Sequence, residues 1–265
     1  MTKKPELTDE ELKIIKRQLR GTAPIDKKYK HHYGGKKVRI GVISDTHIGS
    51  KSFKPELMDK ARQYMLYNSC EAVYHAGDII EGMSGRDGHI YELTHLGVSA
   101  QLQYAADLIN QWEIPFYAIL GNHDEWASNK MNMGVNVGSE LESKCKGFKC
   151  LGGMEADVEL KKGVVMKLFH PNGGSAYAPG YKLMKLAESF SGGEKPNMVF
   201  QGHYHKSLYM FSRNIHLFEA GTLQGQSLFM RGKSLASHLG FWVVDVYFGP
   251  HGVERITNEF HPKYD

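Results

Sequence analysis

Phe116-Tyr117-Ala118-Ile119-Leu120 runs straight into Gly121-Asn122-His123-Asp124. A short, continuous apolar run reads as a strand buried on both faces. An amide, an imidazole and a carboxylate follow in consecutive positions, where such a strand ends. The same arrangement recurs along the chain. Val38-Arg39-Ile40-Gly41-Val42-Ile43 precedes Asp45-Thr46-His47, and Ala72-Val73-Tyr74 precedes Gly77-Asp78. Val164-Val165-Met166-Lys167-Leu168 precedes Phe169-His170, and the shorter Met198-Val199-Phe200 precedes Gly202-His203-Tyr204-His205. Groups at strand carboxyl ends converge on one crevice in an open α/β sheet. Two carboxylates, one amide and four or five imidazoles there can hold two divalent cations.

The chain has 265 residues, enough for one large α/β domain with a substantial core. No apolar stretch is long enough to span a bilayer, so no membrane partner is expected. The segment Met1-Thr2-Lys3-Lys4-Pro5-Glu6 lacks the apolar core of a signal peptide. Cys70, Cys145 and Cys150 form no even framework and no C-x-x-C pair, which suits a reducing cytoplasm. Charge is uneven: residues 1–40 carry 12 Lys+Arg against 5 Asp+Glu, and the remainder carries 21 against 24. A basic arm can attract phosphate backbones, and it can equally be a solvated tail.

Residues 8–20 read as a helix. Thr8 and Glu11 fit a capping box, and Leu12, Ile15 and Leu19 form a narrow apolar stripe. The stripe needs a surface: the main domain, a partner, or a second copy in a homo-oligomer. Residues 21–36 read as a linker, with His31 and His32 on the surface. The chain thus divides into a basic N-terminal helix and linker, 1–36, and a domain over 37–265. Further on, the spacing predicts helices over 55–68 and 97–111, a polar loop over 82–96, and a helix opened by Pro179 and running to Phe190. Over 126–146 Gly134 and Gly138 weaken a helix, although Val137, Leu141 and Cys145 keep its period. Strands are expected over 206–211, 214–220, 239–248 and 251–259.

In the order D-x-H, G-D, G-N-H-D, H and G-H-x-H, from about Val38 to His205, the chain resembles the calcineurin-like metallophosphoesterase family. The resemblance implies an α/β fold of two mixed β-sheets packed as a sandwich and flanked by helices, with the metals at one end. It implies that Asp45, His47, Asp78 and His205 hold one metal, that Asp78 bridges, and that Asn122, His170 and His203 complete the second site. His123 then acts on the leaving oxygen, with Asp124 orienting it and favouring its protonated form. A donor set of oxygen and nitrogen without thiolate suits two divalent metal ions, Mn²⁺ foremost, with Fe or Zn²⁺ as alternatives. Such a pair, about 3.5–4 Å apart, can activate a bridging hydroxide for in-line attack on phosphorus.

The ester class rests on Ile79-Ile80-Glu81-Gly82. Phosphoprotein phosphatases of this superfamily carry here an arginine that clamps a terminal phosphate, and the matching place is Gly82. Without that bidentate clamp a dianionic monoester loses an anchor, which favours phosphodiesters, although Arg86 could substitute. The segment Gly77–Gly82 and the loop with His89, Tyr91, Glu92 and His95 look similar to the branch of DNA-repair nucleases and archaeal polymerase small subunits. The expected substrate is therefore a phosphodiester in nucleic acid, DNA or RNA, or in nucleotides, with Tyr91, Tyr177 and Tyr181 as candidate stacking groups. A phosphomonoesterase and a catalytically silent interaction module are the other classes. Arg231-Gly232-Lys233-Ser234 resembles the end of a phosphate-binding loop, but the first glycine of that motif would fall at Ser227.

Overall fold

A computed structural model describes residues 28–126 and 134–264. The helix expected over 8–20 lies outside the described residues. In chain order the strands begin with β1 (Tyr29–Lys30), β2 (Lys37–Ile43), β3 (Ala72–Ala76), β4 (Phe116–Ile119), β5 (Phe148–Gly152) and β6 (Glu155–Lys161). They continue with β7 (Val164–Phe169), β8 (Met198–Gln201), β9 (Ser207–Ser212), β10 (Ile215–Ala220), β11 (Gly240–Gly249) and β12 (Gly252–Pro262). The helices are α1 (Pro55–Tyr67), α2 (Val98–Ile109), α3 (Asn122–Trp126), α4 (Val137–Lys144), α5 (Tyr181–Ser189) and α6 (Leu228–Gly232), with a 3-10 turn at His89–Glu92.

The strands form two mixed six-stranded sheets, ordered β12-β11-β2-β3-β4-β5 and β1-β6-β7-β8-β10-β9. Within the first, β2 to β5 run parallel and β11 and β12 close one side antiparallel. Period-two alternation explains how the sheets meet. Val38, Ile40, Val42 and Tyr74 face Val158, Leu160, Met166 and Phe200 in the middle of the sandwich. Ile43, Val73 and Phe116 point the other way, onto Leu57, Met65, Leu102, Ile109 and Leu141 of α1, α2 and α4. On the far side, Leu183 and Ala187 of α5 cover Val199, Ile215 and Leu217. With helices on both outer faces, β2, β3 and β4 are buried twice over, which is why they read as unbroken apolar runs.

Three strands go unassigned in the sequence reading: β1, β5 and β6. The expected linker contains β1, which adds parallel to β6 with Tyr29 opposite Val158. His31, expected on the surface, is half-buried, and its Nδ1 lies 2.9 Å from the Tyr74 hydroxyl. His32 is exposed and meets Glu159. The helix expected to open at Pro179 starts at Tyr181 instead, because Gly180 turns into the left-handed region at φ 72°. Gly138 sits inside α4, where a Cβ would lie 2.5 Å from the Cys150 sulfur. Packing thus outweighs its low helix propensity.

Candidate metal centre

The backbone marks the site before any side chain does. Asp45, His47, Asp78, His203 and His205 all have positive φ, between 47° and 78°. Left-handed backbone at residues with a Cβ costs energy and persists only where surroundings enforce it. Here the enforcing contacts are backbone hydrogen bonds between neighbouring loops: Asp45 N donates to Gly77 O, His47 N to Asp78 O, and Gly202 N to Phe169 O. The glycines of the motifs are steric needs. A Cβ on Gly77 would strike the His170 ring, one on Gly121 the Asp78 carboxylate, and one on Gly202 the Ala76 carbonyl.

The seven expected ligands do come together. Asp45, His47 and His205 offer ligand atoms within 4.8 Å of one another, and so do Asp78, His170 and His203. Asn122 Oδ1 lies 3.3 Å from His170 Nε2. Asp78 sits between the groups: its Oδ2 is 3.1 Å from His170 Nε2 and 3.6 Å from His47 Nε2. Asp45, Asp78, His47 and His170 are almost wholly buried.

Fixed hydrogen bonds decide which nitrogens are free. His170 Nδ1 donates to Ala76 O at 2.8 Å, and His203 Nε2 donates to Gly173 O at 2.7 Å. His47 Nδ1 lies 3.0 Å from Glu81 Oε2. His170 Nε2 thus faces Asp78 at 3.1 Å, and His47 Nε2 stands 3.6 Å from Asp78 and 3.9 Å from Asp45, so positive charge here, a proton or a cation, is favoured. Burial pulls His47 and His170 down, yet the carboxylates around them outweigh it and raise each to about 9. The donor set and this demand for positive charge fit a pair of divalent cations, and outer partners of this kind hold metal-binding imidazoles.

A cavity of about 750 Å³ opens over the ligands. His47, Asp78, Asn122, His123, His203 and His205 form its floor, and Arg86, Trp126, Tyr204, Phe229 and Lys233 stand around it. Tyr91, Tyr177 and Tyr181 are exposed and do not line it. Arg86 lines it but is paired with Glu92 at 2.8 Å.

The sequence model of the calcineurin-like phosphoesterase superfamily domain matches residues 38–238, more than half of the chain. The chain belongs to the calcineurin-like phosphoesterase superfamily. Comparison with curated proteins gave no match. Among solved structures, this phosphoesterase is similar to an archaeal phosphodiesterase, at 14% identity and TM-score 0.48 over 84% of this chain and 100% of that one. It is also similar to the phosphoesterase Yfce of E. coli, at 14% identity and TM-score 0.47 over 83% of this chain and 98% of that one. Zinc-bound Vps29 of Entamoeba histolytica follows at 11% identity and TM-score 0.43 over 85% and 99%.

Two expected roles in this phosphoesterase change on inspection of the site. Asp124 does not touch His123. Its carboxylate accepts from the backbone N–H of Ile79, Ile80 and Gly121 at 2.9–3.0 Å, tying the Gly77-Asp78 loop to the Gly121-Asn122 loop. It positions backbone rather than an imidazole. His123 Nδ1 instead donates to the Glu81 carbonyl at 2.8 Å, and its ring lies against Trp126. Nor is its protonated form favoured: burial pulls His123 down to about 4, more than Asp78 and Glu81 lift it.

Glu81, unassigned in the sequence reading, is a hub. Its carboxylate meets His47 Nδ1 at 3.0 Å, His89 Nε2 at 2.9 Å and Gln224 Nε2 at 3.0 Å. His75 is likewise structural. Its Nδ1 accepts from Gly77 N and its Nε2 bonds Thr46 Oγ1, joining the first two ligand loops. The signal for Glu81 was its place three residues after Asp78, level with the next strand-end loops. Nothing in the sequence pointed to His75.

Proposed function

We propose that this protein is a metal-dependent phosphodiesterase acting on nucleic acid or nucleotides. Gly82 carries the reading. It sits at φ 71°, and a Cβ there would lie 2.5 Å from the His123 carbonyl oxygen. Any side chain is therefore shut out of the place from which an arginine would clamp a terminal phosphate. The nearby Arg86 is engaged by Glu92. A monoanionic diester needs less compensating charge than a dianionic monoester, and the residues around the cavity match the lesser need.

Asp45, His47, Asp78 and His205 would hold one cation, and Asp78, Asn122, His170 and His203 the other. When bound, the pair supplies charge neutralisation at the phosphoryl oxygens and an activated water. His123 stands over the same floor, with Nδ1 fixed on Glu81 O and Nε2 left to face substrate. Burial keeps it neutral in the free site, and an arriving phosphoryl anion raises its proton affinity. So charged, it donates to the departing oxygen. Trp126 covers the ring and limits water there.

Mn²⁺-dependent hydrolysis of bis(p-nitrophenyl) phosphate and of p-nitrophenyl phosphate, side by side, tests this. The diester should be turned over at least about tenfold faster, the worth of one lost charge-assisted contact. Preference for the monoester would replace the reading with a phosphatase.

A further inference from the structure

We infer that the cavity wall around α6 is a subsite for one nucleoside-sized arm of the diester. This rests on the phosphodiesterase reading and narrows it from nucleic acid to a small nucleotide ester. The wall is built around α6, where Phe229 is 47% exposed beside the cavity although large and apolar. The Arg86 guanidinium lies 5.4 Å from the Phe229 ring centroid and is held there by Glu92. Tyr204, Leu235 and Trp126 continue the surface, and Ser84 and Ser175 interrupt it with hydroxyls. Ring and guanidinium planes suit the π-face of a base, and the hydroxyls suit a sugar. An acyl chain would want an unbroken apolar channel.

The wall is preorganised. Met230 buries its side chain, Ser227 Oγ accepts from Met230 N, and Gln226 Nε2 donates to Leu235 O at 2.7 Å. Gln224, just before α6, donates to Glu81, the residue that holds His47. The wall and the ligand floor thus share one hydrogen-bonded frame.

Charge and volume set the size of the ligand. Among the described lining residues, Arg86 and Lys233 are the arginine and lysine present, and Arg86 is already paired. A polynucleotide track neutralises several successive phosphates. One free lysine serves one phosphate. A volume of about 750 Å³ is in the range for small-molecule ligands.

The test uses the Mn²⁺-loaded full chain. The p-nitrophenyl phosphodiester of thymidine should be favoured over methyl p-nitrophenyl phosphate by about tenfold in kcat/KM, the worth of one stacked base. Phe229→Ala should bring the ratio close to one, with metal content and melting temperature checked. Equal rates in the wild type, or a preference that survives Phe229→Ala, overturn the subsite. So does a long oligonucleotide that inhibits far more tightly than thymidine monophosphate. Hydrolysis of neither ester marks failure of the phosphodiesterase reading itself. Equilibrium binding of thymidine monophosphate then decides the subsite: binding weakened about tenfold by Phe229→Ala upholds it, and binding unchanged overturns it.

Discussion

Asp78 accepts the His123 backbone N–H on one oxygen, faces His170 and His47 with the other, and holds a left-handed backbone at φ 56°. A side chain so committed to both halves of the ligand set should be essential to both. Asp78→Ala is expected to lose bound metal together with activity; elemental analysis showing two metals per chain would refute the bridging assignment. Glu81 acts one step further out. It accepts from His89 and Gln224 and stands 3.0 Å from His47 Nδ1, and glutamine keeps only one oxygen among these contacts. Glu81→Gln should stay folded yet bind metal about 10–100-fold more weakly, as read by metal titration. His123 touches the floor through its backbone N–H and the cavity through its ring. His123→Ala should retain both metals and lose activity most on poor leaving groups. An equal loss with nitrophenolate as leaving group would remove the leaving-group role. The seven candidate ligands, which the fold brings to one place, were legible in the sequence because each stands at the end of an apolar run. Glu81 and His75 were not, because each works through another residue and leaves no periodic trace; Asp124 was legible as a site residue, but not that its carboxylate would tie backbone rather than an imidazole.

Burial on both faces made β2, β3, β4 and β7 readable as apolar runs, and α1 and α2 kept their helical spacing almost to the ends. β6 alternates strictly, with Ala156, Val158 and Leu160 inward and Glu155, Asp157 and Glu159 outward, and only its charge hid it. β1 spans two residues, too few for any period, and exists because β6 offers an open edge. α4 needed its surroundings. Asn136 caps it by accepting from Ser139 N at 2.8 Å, and Gly138 lets it close on Cys150. That cap lies away from the ligand loops. Asn136→Ala should cost about 1 kcal/mol, a few degrees in the melting temperature, with diester turnover unchanged. A loss of turnover at full metal loading would mean that α4 bears on the site in a way its packing does not explain.

Among the described residues no helix is long and apolar enough to cross a membrane, and the three cysteines are unbridged. The charge of the whole molecule reads differently once the fold is known. Residues 1–27 carry 7 Lys+Arg against 5 Asp+Glu, while 28–40 carry 5 and none. Most of the basic excess therefore belongs to β1, β2 and their connection. Part of it is spent internally, since Arg39 and Lys37 both engage Asp245. The same stretch closes one end of the sandwich: Tyr33 and His31 both hydrogen-bond the hydroxyl of Tyr74, a fully buried side chain. Two deletions separate these roles. Removing residues 1–36 strips β1 and leaves the Tyr74 hydroxyl without partners, which should cost at least about 2 kcal/mol in urea unfolding. Removing residues 1–27 keeps both and should cost far less. Equal midpoints for the two would show that β1 adds nothing to stability. The shorter deletion also isolates the N-terminal segment as a nucleic-acid arm. The salt slope counts phosphates neutralised by Lys and Arg, so as an arm this segment, with 7 Lys+Arg, should lower the slope of polynucleotide binding when removed, and an unchanged slope would leave it without a phosphate contact.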